Sequence, residues 1–381
     1  MFLYLLNNFY LFLMLPFANK RSFYLILMAI LTVSIIIYLL PSTGADYEHY
    51  KYDYETAYSK TDFPYFFTNS ILTAEPFYKF YSAFISVTTG LSFSGYLSLN
   101  FIITYFTMYI ILQKFFLSRY IVVFLFIGLI LIVPVLFYAS PRSSVPFMFS
   151  TLAFLLYAEG KYFKAIFVSF LAISFHSQFI PILTILGISY MFYTYFFSKK
   201  KIPTYIYYIM ILVLATILFV LSKYLTDILS FLIGFISFLP SGALIEGKIH
   251  YLDSSKSGFR ITSLLSIIVF PIILFYIIKL NSFNKVFKPT LSPKYKERFI
   301  FLFSVLVVFS FIVNIIFINN AHVAGRISRL SDYLFMMIGI GTFLASFKNS
   351  NLVSMVVLIV ILSIAPIIYS TMYNFELSIL F

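Results

Sequence analysis

An all-α, polytopic integral membrane protein of about twelve transmembrane helices is the fold this sequence predicts. Three observations carry that expectation. Hydrophobic residues make up 62% of the 381 positions and charged residues only 10%. A soluble domain of this size could not hide so much apolar surface, whereas lipid accommodates it. The apolar residues gather into runs near the length, about 20 residues, with which a helix crosses the hydrocarbon. The basic residues are sorted by side. Threading the runs back and forth puts 16 of the 26 Lys and Arg, but only two of the 13 acidic residues, in the loops of one face. Lys and Arg in short loops resist translocation, so that face is expected to be cytoplasmic. The net charge of +13 is therefore a topology signal, and no nucleic-acid partner is expected.

The spans are expected at roughly 1–18, 22–41, 96–116, 120–138, 143–158, 162–175, 177–197, 203–222, 261–280, 297–317, 328–346 and 351–370. Residues Met1–Phe17 are apolar but lack a basic start and a small-residue cleavage site, and read as a retained first span. Residues 76–89 are apolar yet too short to cross, and read as a re-entrant or interface-lying helix. Making them a span would expel Lys199, Lys200, Lys201 and the basic group from Lys285 to Arg298. An even number of spans then leaves both termini outside. The chain is one transmembrane domain over 1–381, with two long outer loops at 42–75 and 223–260. Cysteine is absent, so neither disulfides nor thiolate chemistry is available. No phosphate loop of the Gly-rich Lys-Ser/Thr kind and no metal-ligand cluster is present, and neither a metal nor a cofactor is expected.

On this topology the candidate functional groups share the outer face. Arg142 follows Ser140-Pro141 and precedes the run beginning at Val145; it either snorkels at the interface or clamps an anion. Pro146 is expected to kink that run. His176, within Ser174-Phe175-His176-Ser177-Gln178, either caps a tight turn or moves a proton near neutrality. Arg326 and Arg329 sit three apart on one helix face at the start of a span, with Asp332 and Tyr333 following. They suit a bound anion, or Arg329 pairs structurally with Asp332. Asp46 and Glu75 border the same side and could act as bases, orient the arginines or remain solvated. The Tyr density from Tyr47 and Tyr50 to Tyr65 suits an interface or stacking against sugars.

These elements in this order resemble the EpsG/Wzy-type polysaccharide polymerases. Gly44-x-Asp46-Tyr47-x-x-Tyr50 is similar to the family's element after the second span, and Glu75-Pro76-x-Tyr78 to the head of its next helix. Arg142 before a helix, the His176-Ser177 junction and Arg326-x-x-Arg329 with Tyr333 resemble its later signatures. The Ser-Ser-Val-Pro segment after Arg142 departs from a smoother Ala-rich helix. The resemblance implies a membrane glycosyltransferase of the bacterial inner membrane. Its partners would be membrane lipids and undecaprenyl-pyrophosphate-linked oligosaccharide repeat units, which it polymerises at the outer face. A chain-length regulator and a flippase are implied as neighbours. It further implies His176, Asp46 and Glu75 as catalytic, Arg142, Arg326 and Arg329 as pyrophosphate-binding, and Tyr47, Tyr50 and Tyr333 as substrate-orienting. Two rivals stay open at this point: a flippase or other carrier, and an outer-face ligase or acyltransferase. A carrier is expected to place ionisable groups along a path through the bilayer.

Overall fold

The computed structural model describes residues 18–39, 47–58, 75–132, 141–197, 265–317, 324–325 and 327–344. The spans expected at 203–222 and 351–370, residues 1–17, the loop 223–260, both termini, Asp46 and Arg326 lie outside them. The described chain is helical: α1 (Ala18–Leu39), α2 (Tyr47–Tyr52, continuing as a π-helical turn Asp53–Tyr58), α3 (Pro76–Thr89), α4 (Phe93–Phe115), α5 (Ser118–Leu131), α6 (Ser144–Glu159), α7 (Tyr162–Phe175), α8 (Ile180–Phe192), α9 (Phe270–Lys279), α10 (Phe283–Val286), α11 (Pro293–Ile316), α12 (Arg329–Leu334) and α13 (Ile340–Leu344). A π-helical stretch, Phe335–Gly339, joins the last two. Among the described residues three helices are long and apolar enough to cross a membrane: Phe93–Phe115, Ser177–Tyr195 and Pro293–Ile316. Shorter apolar helices pack around them, among them Ser144–Glu159 and Tyr162–Phe175.

Local chemistry sets the helix ends. Ser92 caps α4 by accepting from the Gly95 amide at 3.3 Å. Ser292 caps α11 by accepting from the Tyr295 amide at 3.2 Å, with Pro293 opening the helix. Pro146 falls in the first turn of α6, where its missing N–H costs nothing, so α6 runs unbroken from Ser144 to Glu159 instead of kinking. Gly160 ends it at φ +82°, a left-handed conformation that closes the last turn with the Gly160 amide on the Tyr157 carbonyl at 3.0 Å.

Two poles result. At one, Lys114 at the end of α4 pairs with Glu159 at the end of α6 at 2.7 Å. The chain from α9 to α11 is stitched there, with Leu117 N–H on the Val286 carbonyl and Lys288 N–H on the Phe115 carbonyl, both 3.0 Å. The basic connections carrying Arg119, Lys161, Lys164, Lys285, Lys288, Lys294 and Lys296 all belong to this basic pole. Buried Arg298 reaches from α11 to the Ala158 carbonyl at 3.1 Å, its guanidinium 5.3 Å from the Tyr190 ring.

The opposite pole holds the starts of α4 and α6, about 24 Å away along the 16 residues of α6. Both ends of α3 lie there. Glu75, just before it, bonds Arg142 at the head of α6, and Thr89 precedes the head of α4 by a few residues. The Ser98 hydroxyl donates to the Ser34 carbonyl at 2.8 Å, which sets α1 against α4 with its end toward the same pole. A helix of 14 residues with both ends on one side does not traverse the bundle.

A tier of phenylalanines runs from the middle of the bundle into the basic pole. Phe270 and Phe335 rings are 4.3 Å apart, Phe303 stands 5.8 Å from Phe335 and 5.8 Å from Phe299, and Phe116, Phe283 and Phe287 continue the stack. These rings are buried at this part of the core, which is what the high phenylalanine content is for here.

Candidate functional site

Residues from four separate segments meet at the pole opposite the basic loops. Glu75 occupies the N-cap position of α3, yet its carboxylate does not cap its own helix. It turns instead toward two neighbours. One oxygen, Oε2, accepts from Arg142 Nη1 at 2.9 Å. The other, Oε1, lies 2.5 Å from His176 Nδ1 and accepts from the Ser177 amide and hydroxyl at 3.4 Å each. Glu75 and His176 are both buried, His176 only 4% exposed.

The backbone explains why His176 is there. Its extended conformation, φ −159° and ψ 113°, breaks α7. A single 3₁₀ turn, Ser177–Phe179, follows, and Pro181 opens α8. Arg142 sits in a 3₁₀ turn, Pro141–Ser143, that leads into α6. Its guanidinium stands 5.3 Å from the Tyr50 ring, which meets the edge of Tyr78 at 5.9 Å. Arg329 approaches from α12: its Nη1 donates to Ser143 Oγ at 3.0 Å, and Gln178 Nε2 donates to the same oxygen at 3.2 Å. Ser143 thereby ties the Arg142 turn, the His176 turn and α12 together.

The electrostatics follow from burial and these contacts. Burial works to raise the Glu75 carboxyl, but the hydrogen bond and charge of His176 and the Arg142 guanidinium outweigh it and hold it at about 2. Burial pushes the His176 imidazole down to about 4, with the Arg142 and Arg329 charges adding to that and Glu75 opposing it. At neutral pH Glu75 is therefore an anion and His176 is neutral. An ionised carboxylate only accepts, so Nδ1 of His176 carries the ring proton and Nε2 carries the lone pair. The arrangement is an oriented imidazole base beside two arginines.

Of the sequence-predicted residues, His176, Glu75, Arg142 and Arg329 come together, while Asp46 and Arg326 lie outside the described residues. Tyr47 is buried with its hydroxyl 3.3 Å from the Ser94 hydroxyl and its ring edge-on to Phe93. Tyr50 packs against Arg142, and Tyr333 lies edge-on to Phe147 at 5.8 Å. The alternative pairing of Arg329 with Asp332 does not form: the Asp332 oxygens accept from Ser266, Ser310 and Ser328. Ser143 and Gln178 were given no role from the sequence, although Ser143 adjoins Arg142 and Gln178 closes the polar run Ser174–Gln178, and Ser177 entered only as part of the His176-Ser177 junction. Among the described residues no three His, Asp or Glu side chains converge, so no multidentate metal site forms there.

A model of the EpsG family matches residues 5–380. No curated protein and no solved structure matches the chain. With nearly its whole length covered, the chain belongs to the EpsG family. That membership supports its reading as a Wzy-type polysaccharide repeat-unit polymerase, an enzyme that depends on a polyprenyl-pyrophosphate carrier.

Proposed function

We propose that this EpsG-family chain joins undecaprenyl-pyrophosphate-linked oligosaccharide units at the outer face of the bacterial inner membrane, through the Glu75–His176–Arg142–Arg329 cluster. The observation that carries the proposal is the Glu75 bridge, which aims a neutral imidazole and an arginine into one place. The outer-face assignment is supported by the gathering of the basic loops at the other pole.

In the reaction, the acceptor hydroxyl of one lipid-linked unit attacks the anomeric carbon of the chain held on another carrier. His176 Nε2 takes the hydroxyl proton as the new C–O bond forms. The bond from the anomeric carbon to the pyrophosphate oxygen breaks, and its electron pair leaves with undecaprenyl pyrophosphate. Negative charge builds on that oxygen, and Arg142 and Arg329 meet it more strongly in the transition state than before. Glu75 does not itself take the proton: both its oxygens are already engaged, by Arg142 and by His176, and its role is to fix the tautomer and aim of His176. Arg326 is proposed to join the two arginines, Asp46 to help orient the acceptor, and Tyr47, Tyr50 and Tyr333 to shape the surround. No nucleotide is needed, because the pyrophosphate linkage already stores the energy.

The test is reconstitution in liposomes with purified lipid-linked repeat units. A ladder of chain lengths is the expected product, and it should be lost in Arg142→Ala and Arg329→Ala variants. A single transfer product would indicate a ligase, and movement of the lipid-linked unit without chain growth would indicate a carrier. Full ladders from both arginine variants would remove the assigned roles.

A further inference from the structure

We infer that Asp332 is a positioning residue for Arg329, holding it on Ser143 from a hydroxyl-lined anchor on the other face of α12. The inference deepens the proposed function, since it rests on Arg329 serving the pyrophosphate.

Asp332 lies one helical turn past Arg329 and is buried within the helix bundle. A carboxylate in that position is costly unless its oxygens are hydrogen-bonded. Three hydroxyls supply those bonds, from three different elements. Ser266, in the π-helical stretch leading into α9, donates to Oδ1 at 3.1 Å. Ser310, on α11, donates to the same oxygen. Ser328, immediately before α12, donates to Oδ2 at 2.6 Å. Asn314 braces the group: its amide donates to the Ser310 carbonyl at 2.9 Å and lies 3.4 Å from both the Ser310 and the Ser328 hydroxyl oxygens.

The start of α12 therefore has two working faces. Ser328 and Asp332, four apart, share the face against α11 and the stretch before α9. Arg329 and Tyr333, also four apart, share the face toward α6, where they meet Ser143 and Phe147. The polar anchor fixes the rotation of α12 about its axis. That rotation decides whether Arg329 reaches Ser143 Oγ, the oxygen it shares with Gln178 beside the His176 turn. Asp332 itself makes no hydrogen bond to Glu75, Arg142 or His176, and its hydrogen-bonded route to the site runs along α12 to Arg329. A misplacement of roughly 1 Å at such a group costs on the order of a hundredfold in rate.

The test uses the full-length protein in lipid nanodiscs. Binding of inorganic pyrophosphate is measured by calorimetry, and kcat and KM are measured with lipid-linked repeat units. Asp332→Asn, Arg329→Lys and the double variant are compared with wild type. Asp332→Asn is expected to weaken pyrophosphate binding about tenfold, the scale of one misaligned charge-assisted hydrogen bond. In the Arg329→Lys background the same change should add little, because its effect runs through the residue already altered. Independent, multiplying effects would overturn the inference. So would a lowered melting temperature with pyrophosphate binding intact, which is what a merely structural anchor would give. Where Asp332→Asn does not fold, Ser266→Ala removes one donor and is read the same way. A wild type that binds pyrophosphate through Arg329 and Asp332 but makes no polymer would defeat the polymerase reading and leave this inference standing. Polymer formation indifferent to Asp332 would do the reverse.

Discussion

Replacing Glu75 with Gln removes the one charge on which the candidate site turns. The change keeps size and shape but leaves one amide oxygen for two partners: either the nitrogen faces Arg142, donor against donor, or it faces His176 Nδ1. The latter would move the ring proton to Nε2 and leave no lone pair for the acceptor hydroxyl. The stability cost follows from the carboxyl being held at about 2 against its ordinary 4.5. The gap, 4.5 − 2, at about 1.36 kcal/mol for each pH unit comes to roughly 3 kcal/mol. The sign is fixed by the depressed value. This stabilisation is fully present above about pH 4.5 and drains away as the pH falls toward 2. Thermal unfolding of wild type in detergent should therefore steepen its acid loss below pH 4.5, and Glu75→Gln should show no such limb while melting lower at neutral pH. Polymerisation should fall by about 10² to 10⁴, the scale of losing an oriented base. A Glu75→Gln protein with wild-type rate and wild-type acid unfolding would refute the reasoning.

Other expectations are as direct. His176 is held near 4 rather than its ordinary 6.5, so kcat/KM should rise with pH through about 4 and be level by neutrality; a limb centred at 6.5 would argue against a buried, neutral base. The same depressed value makes His176 stabilising above about 6.5, an effect lost as the pH falls toward 4, and His176→Ala should flatten that part of the unfolding profile. Gly160→Ala places a methyl group against the Arg298 guanidinium in a left-handed conformation. A loss of at least about 1–2 kcal/mol is expected from the backbone alone, seen as a lower melting temperature without a change in KM. Exposed Glu48 and exposed Lys285, changed singly to Cys in this cysteine-free chain, test the sidedness. An impermeant thiol reagent should reach Glu48→Cys from outside whole cells and Lys285→Cys only after the cytosol is opened; the opposite pattern would invert the proposed orientation.

How much of this could be read from the residues varies with the kind of interaction. The helical runs were legible because lipid demands long apolar stretches, and the basic loops were legible because translocation sorts charge. The reading of 76–89 as a re-entrant or interface-lying helix rested on the same sorting, and these residues form a 14-residue helix, Pro76–Thr89. Arg142 stood out beside Pro141 at the head of an apolar run, His176 in a short polar cluster, Glu75 just before Pro76, and Arg329 as one of an Arg pair at the start of a span. What joins them did not stand out. Ser143 looks like any small residue in a turn, and only the fold reveals that two donors from distant segments converge on it. The pairing of Arg329 with Asp332 was suggested by spacing along one helix, and it gave way to three serines that spacing cannot bring together. Pro146 suggested a kink, yet it stands in the first turn of α6, where no intrahelical partner awaits its missing N–H.

The phenylalanine tier below Asp332 has a further consequence. A sodium ion or hydronium moving from the cluster toward the basic loops by this route would have to shed its hydration against rings such as Phe270, Phe335, Phe303 and Phe299, which offer no oxygen in exchange. The chain thus holds its charged cluster at one pole while this part of its interior offers an ion nothing but aromatic rings.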